Sequence, residues 1–173
     1  MNSNIAKEIY EHSHLIGNFM LRSGDISDEY FDKYLFESEP SLLVAIVKIM
    51  KELIPEDTEI LAGLEMGGLP IATALSIESG IKAAFVRKKA KEYGTCKLAE
   101  GNDVNGKRVC VIEDVVTTGG QIIKSVNELR SRGAIIDTVL CVIQRNDNVT
   151  EILKAEGLTL KAAFTMAYIK SQI

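Results

Sequence analysis

At 173 residues, 46% hydrophobic and 25% charged, the chain is long enough to bury a core without disulfide or metal support, and it reads as one domain with no internal repeat and no linker. Its net charge of −4 argues against broad electrostatic binding to nucleic acid, and no apolar run approaches the about 18 residues that a membrane span needs. The start, MNSNIAKEIYEHSH, has no basic segment leading into an apolar core, so a cytoplasmic protein is expected.

Ile5, Ile9, Leu15, Ile16, Phe19 and Met20 recur at three- and four-residue steps, which predicts an amphipathic helix over 4–21 ending near Ser23-Gly24. His12 and His14 would ride on it as partly exposed structural residues. Residues 25–38 mix aromatics with charges without a clean period and read as irregular or short-stranded. From Ser41, LLVAIVKIMKELI gives a second helix, stopped by Pro55. A repeating alternation then begins with the strand EILAGL (59–64), the turn EMGG, and a helix with Pro70 in its first turn and Gly80 past its end. KAAFVRK is the next strand. Residues about 88–105 show no period and predict a long connection. RVCVIED (108–114), a helix whose Ile122, Ile123, Val126 and Leu129 share a face, IIDTVLCVIQR (135–145) and LTLKAAFTM (158–166) complete the series. Five near-continuous apolar strands, several separated by helices, predict an α/β fold with a parallel sheet covered on both faces. Ligands of such sheets bind at the carboxyl ends of the strands.

The three cysteines, Cys96, Cys110 and Cys141, form no CxxC pair and have two histidines to help them, so a zinc site or disulfide framework is not expected. Cys110 and Cys141 sit in apolar runs as small hydrophobes.

The unusual residues fall at the expected rim. In VCVIEDVVTTGGQ (109–121) two hydroxyls and two glycines precede a helix, the composition of an anion cradle. The run does not match GxxxxGK[ST], which disfavours a nucleoside triphosphate loop. Glu113 and Asp114 would repel a phosphate placed on them and suit hydroxyls or a metal. A ribose 5-phosphate meets both demands, its phosphate on the Thr/Gly turn and its 2- and 3-hydroxyls on the acids. A single acid would read as a helix cap; two acids before TTGG favour the sugar. GLEMGGLP (63–70) offers a second glycine turn. Arg87, Lys88, Lys89 and Lys91 would by themselves be a solvated face, but beside two phosphate sites they read as a basic mobile lid.

These residues resemble the type I phosphoribosyltransferase family, in particular its orotate branch. VCVIEDVVTTGGQ resembles the family's phosphoribosyl pyrophosphate motif, FVRKKAKEYGT the branch's catalytic loop, GLEMGGLPIATALS its pyrophosphate loop, FMLRSGDISDEYFDKYLFES its base-binding segment, and CVIQRNDN its late strand ending in arginine. The resemblance implies the family fold: a central parallel five-stranded sheet flanked by helices, a small hood over about 1–40 plus the C-terminal end, and a flexible loop over about 88–105. It implies transfer of ribose 5-phosphate from phosphoribosyl pyrophosphate to orotate, giving orotidine 5-phosphate and pyrophosphate, a step of pyrimidine (UMP) biosynthesis. The alternatives are a salvage transferase for a purine or other base and a non-catalytic sensor of phosphoribosyl pyrophosphate.

Carried over by position, Thr117, Thr118, Gly119, Gly120 and Gln121 would hold the 5-phosphate after Val115 and Val116. Glu113 and Asp114 would take the ribose hydroxyls. Gly67, Arg87, Lys88, Lys91 and Tyr93 would serve the pyrophosphate, and Lys91, Glu113 and Asp114 would be the catalytic set. For the base, a flat anion, Arg145 offers a bidentate fork, Arg22 a second cation, Phe31 or Tyr30 a wall, and Thr117 a hydroxyl. Mg2+ would be held mainly by substrate oxygens with no protein metal cage. The resemblance also implies a homodimer whose loops reach the neighbouring site, with no nucleic acid and no membrane as partner. The chain departs from the branch at Tyr93, where histidine is common, at Gly67 and Arg22, where lysine is, at Ser27-Asp28, where Ser-Pro is, and at Glu113, where aspartate is frequent.

Overall fold

The computed structural model describes residues 2–21, 24–91 and 97–173. Helix α1 (Asn2–Ser13) leads straight into strand β1 (His14–Met20), which pairs antiparallel with β2 (Ile26–Phe31), His14 opposite Phe31 and Met20 opposite Ile26. The helix predicted over 4–21 is therefore corrected: it ends at Ser13. Gly17 and Asn18 are weak helix formers, and the hairpin partner supplies backbone hydrogen bonds that outweigh a marginal helical turn. Ile16 and Met20, read as part of a buried stripe, are 85% and 82% exposed. Past β2, Asp32 caps the short helix α2 (Lys33–Glu37), its side chain accepting from the Tyr34 N–H at 3.1 Å.

Helix α3 (Pro40–Lys51) opens with proline in its first turn. Strand β3 (Ile60–Leu64) is buried at every position and runs into α4 (Gly68–Ser79), which Gly80 ends in the left-handed conformation, φ +77°. The remaining elements are β4 (Lys82–Val86), β5 (Ala99–Gly101), β6 (Arg108–Val116), α5 (Gly120–Ser131), β7 (Ile135–Gln144), α6 (Val149–Ala155), β8 (Thr159–Thr165) and α7 (Met166–Lys170). The sheet order is β5-β4-β3-β6-β7-β8. All five expected parallel strands are present, and β5 adds a sixth, antiparallel to β4 on the edge. The connection expected over 88–105 thus carries a strand, anchored by the buried Leu98 and Val104. Three residues are too few to show a period of two.

One face of the sheet packs α5 and α6 through Ile122, Val126, Leu129 and Leu153. The other packs α1, α3, α4 and α7 through Ile9, Ile46, Ile71 and Ile169, with Phe36 of α2 in the same cluster. Fully burying one such side chain contributes about 1.5–3 kcal/mol, so truncating Leu140 or Ile112, both 0% exposed, should cost about 2–5 kcal/mol. Among the described residues no helix is long and apolar enough to cross a membrane.

Candidate active site

The strand order places β3 beside β6 in parallel, Gly63 opposite Ile112, so the two glycine turns meet at one edge. Glycine sets their distance. A Cβ on Gly68 would lie 2.3 Å from the Ile112 carbonyl oxygen, and one on Gly63 would lie 2.5 Å from the Gly68 carbonyl oxygen. Only bare backbone allows the first turn of α4 to lie on β6 in this way. Both α4 and α5 start on a glycine, Gly67 and Gly119, with no side-chain cap. The first turn of α5 leaves its N–H groups and partial positive charge to an anion; in α4 the Leu69 N–H donates to the Met66 carbonyl at 3.1 Å and Pro70 has none, so that turn offers mainly its partial positive charge. Thr117, Thr118, Gly120 and Gln121 are exposed at that edge, and Gln121 Nε2 donates to Ser125 Oγ at 3.2 Å.

Between the turns stand the two acids. Asp114 is 0% exposed. Its Oδ1 accepts from the Val115 N–H at 2.5 Å, and its Oδ2 meets the Lys33 Nζ of α2 at 2.5 Å. A Cβ on Gly67 would lie 1.5 Å from the same Oδ2. The inward carboxylate fills the space a side chain at 67 would need. Glu113 is half-buried, and its Oε2 accepts from the Asp114 N–H at 3.3 Å.

A third carboxyl, Glu37 of α2, is 5% exposed and neither of its oxygens has a hydrogen-bond donor. Burial first, then the hydrogen bond and charge of Asp114, push its pKa up to about 9 against the opposing pull of Lys33. Burial and then Asp114 likewise push Glu113 up to about 8. Burial alone would lower the Lys33 ammonium, but the hydrogen bond and charge of Asp114 hold it above its ordinary value. Three carboxyls around one ammonium do not all ionise, so the cluster keeps a proton at neutral pH. Glu37 in its acid form gives the Asp114–Glu37 contact the donor that two carboxylates lack.

Beside this edge, under the β1–β2 hairpin, lies a cavity of about 330 Å³ lined by Phe31, Tyr30, Arg145, His14, Glu29 and Lys170 among others. Phe31 and Arg145, predicted far apart in sequence, share it. The Arg145 N–H donates to the Val116 carbonyl at 2.8 Å, which ties the ends of β6 and β7 together and fixes the rim. His14 is a wall residue: its ring stacks on Tyr10 at 4.5 Å and its Nε2 sits 2.8 Å from Glu29 Oε2. That hydrogen bond lowers the Glu29 carboxyl below its ordinary range. Arg145 and Lys170 against the single acid Glu29 suit a flat anion. Thr117 does not line this cavity, and Arg22 lies outside the described residues.

The basic run follows β4. Arg87 Nε sits 3.2 Å from Glu100 Oε1 of β5, and Lys91 sets its ammonium on the same carboxylate. The Lys88 N–H donates to Glu65 Oε2 at 3.1 Å, which brings the run against the turn after β3. Tyr93 and Cys96 lie outside the described residues. The Val116 side chain is 1% exposed and belongs to the core, which leaves its backbone to meet a ligand. Val115 is half-buried and packs against the core. Cys110 and Cys141 are buried thiols that burial pushes upward, Cys110 to about 12, and they are chemically quiet. Among the described residues no group of three or more His, Cys, Asp or Glu could hold a metal ion.

Sequence reasoning missed Lys33, Glu37 and Lys170. Each sits on a five-residue helix, too short for a periodic signal, and reaches the site only through tertiary packing. The cation at Lys33 and the acid at Glu37, four positions apart and just past the predicted base wall, were the available sign.

Residues 36–163 match the family described as "Phosphoribosyl transferase domain". The orotate phosphoribosyltransferase of Nocardioides sp. is 48% identical over 167 residues, covering 96% of this chain and 93% of that one. The crystal structure of Mycobacterium tuberculosis orotate phosphoribosyltransferase in complex with Fe(III) dicitrate superposes with a TM-score of 0.88 at 32% identity, covering 97% of this chain and 98% of the other. The same enzyme in complex with 5-phospho-alpha-D-ribosyl 1-diphosphate superposes at 0.83 with 28% identity over 98% of both chains.

Proposed function

The chain belongs to the phosphoribosyl transferase family, in its orotate branch, and we infer from that premise how its residues divide the reaction. It transfers ribose 5-phosphate from phosphoribosyl pyrophosphate to orotate, forming orotidine 5-phosphate and pyrophosphate. The observation that carries the assignment to this chain's own residues is the joining of three parts at one edge: the uncapped Thr117–Gln121 turn, the Glu113–Asp114 pair, and the cation-lined cavity of Phe31 and Arg145.

The 5-phosphate sits on the first turn of α5, held by backbone N–H groups and the Thr117 and Thr118 hydroxyls. The ribose hydroxyls face Glu113 and Asp114. The base lies against Phe31, its carboxylate on Arg145. The pyrophosphate lies at the Gly67 turn, reached by Lys88 and, once they leave Glu100, by Arg87 and Lys91. As the C1–oxygen bond to pyrophosphate breaks, positive charge grows on the sugar and negative charge on the leaving group. The lysine lid and the partial positive charge at the start of α4 stabilise the second, and the carboxylate pair lies beside the first. Closure of the lid excludes the water that would otherwise take the sugar.

Magnesium fits this donor set in one way. Both oxygens of Asp114 are engaged, by the Val115 N–H and the Lys33 ammonium, so the ion would be held mainly by substrate oxygens, with Glu113 and Asp114 facing the ribose hydroxyls. When bound it neutralises charge on the departing pyrophosphate. The unit acts as a single domain with a hood over about 1–40 plus the C-terminal end, as a homodimer sharing its sites, in the cytoplasm. A purine would leave Arg145 and Lys170 without a counter-charge, which disfavours a salvage role. Orotidine 5-phosphate formation from orotate, phosphoribosyl pyrophosphate and magnesium tests the assignment. Formation at enzymatic rates, abolished by Asp114→Ala, supports it; formation that survives Asp114→Ala overturns the placing of the sugar.

A further inference from the structure

We propose that Lys33 and Glu37 are positioning residues for Asp114 and that, through helix α2, they couple the sugar site to the base cavity. The proposal rests on the assignment of Asp114 to the ribose. The two residues stand four positions apart and so project from one face of α2, with Phe36 buried at 0% exposure as the helix's anchor. That face meets the end of β6: Lys33 Nζ lies 2.5 Å from Asp114 Oδ2, and the buried Glu37 carboxyl has no donor beside it. The groups facing Glu37 are Asp114 and Glu113 of β6 and Lys33 of its own helix. The same helix begins two residues after Phe31, with Asp32 as its cap, so the base wall and the sugar carboxylate hang on one short rigid piece.

A sugar hydroxyl that donates to Asp114 Oδ2 must share or displace the Lys33 ammonium. A half-buried ammonium tied to a fully buried carboxylate resists separation, because either partner left alone is an uncompensated charge. Sugar binding therefore acts on Lys33, hence on α2, hence on Phe31. By reciprocity, base binding acts on the sugar site by the same factor. Glu37 in its acid form fixes the other side of Asp114 without adding a second negative charge.

Calorimetric titration of orotate with and without saturating ribose 5-phosphate, which has no pyrophosphate to lose, measures this coupling directly. In the unmodified enzyme the sugar should change orotate affinity by about fivefold or more. In Lys33→Met the factor should fall to near one while orotate alone binds as before. Lys33→Gln carries the same test should Lys33→Met fail to fold. Glu37→Gln, which imitates the acid form, should keep the coupling. Coupling that persists in the Lys33 variant overturns the proposal, and coupling lost in Glu37→Gln overturns the acid form of Glu37 as the state that positions Asp114. Asp114→Asn separates the underlying assignment: unchanged ribose 5-phosphate affinity there refutes the sugar reading itself. Weakened affinity there, with coupling intact in Lys33→Met, refutes the positioning role alone.

Discussion

A methyl group added at Gly67 should weaken sugar binding more than it weakens the fold. The new Cβ would lie 1.5 Å from Asp114 Oδ2 and 2.3 Å from its Cγ, against an ordinary carbon–oxygen contact of about 3.3 Å. The carboxylate has to retreat by nearly 2 Å, which breaks its 2.5 Å contacts with Lys33 and the Val115 N–H. A hydrogen bond to a charged group contributes about 1.5–3 kcal/mol. Losing the preset position of Asp114 should thus cost about 2 kcal/mol of sugar affinity, roughly thirtyfold in Kd. Gly68→Ala is the contrast. Its Cβ meets a backbone oxygen 2.3 Å away, so strand and helix must part, at a cost of about 1–3 kcal/mol or about 2–4 °C of Tm per kcal/mol. Calorimetry with phosphoribosyl pyrophosphate and thermal melts on both variants separate the two effects. Wild-type affinity in Gly67→Ala would refute the view that the inward carboxylate is part of the sugar site.

Lys91→Ala should lower kcat by on the order of a hundredfold or more with Tm unchanged, since the lysine's partner Glu100 is a half-buried residue on an edge strand; steady-state kinetics with a melt checks this, and an unaltered kcat removes Lys91 from the chemistry. Glu37 carries a pH signature. Its folded-state pKa is raised from the ordinary 4.5 to about 9, so the stability its proton confers is fully present below about pH 4.5 and is lost as pH rises through about 9. Denaturant melts should therefore show stability falling across that window, by no more than the one-proton limit of about 1.4 kcal/mol per pH unit. Glu37→Gln should flatten the fall, and equal slopes in the two proteins would contradict the buried acid.

The parallel core was legible because strands buried on both faces are written as apolar runs such as VCVI and LCVI, and the phosphate turn because glycine and threonine crowd at a strand end. What escaped was structure whose cause lies elsewhere in the chain. Residues 14–20 carry apolar side chains at helical spacing, yet pairing with 26–31 makes them a strand. β5 is legible only through its neighbour β4. Lys33 and Glu37 look like surface charges of an irregular segment until the fold sets them on Asp114, and Lys170 looks like a tail residue until α7 brings it to the cavity. Gly67 was read as a phosphate contact; the added reason for glycine, the carboxylate packed against it, is a tertiary fact.

Base selectivity tests the account most directly. Pyrophosphate release should be followed with phosphoribosyl pyrophosphate and magnesium, offering orotate, uracil, adenine and hypoxanthine in turn to the unmodified enzyme and to Arg145→Ala. Release with orotate alone, lost in Arg145→Ala while phosphoribosyl pyrophosphate still binds, is the predicted result. No release with orotate, or release with a purine that Arg145→Ala leaves untouched, would contradict it.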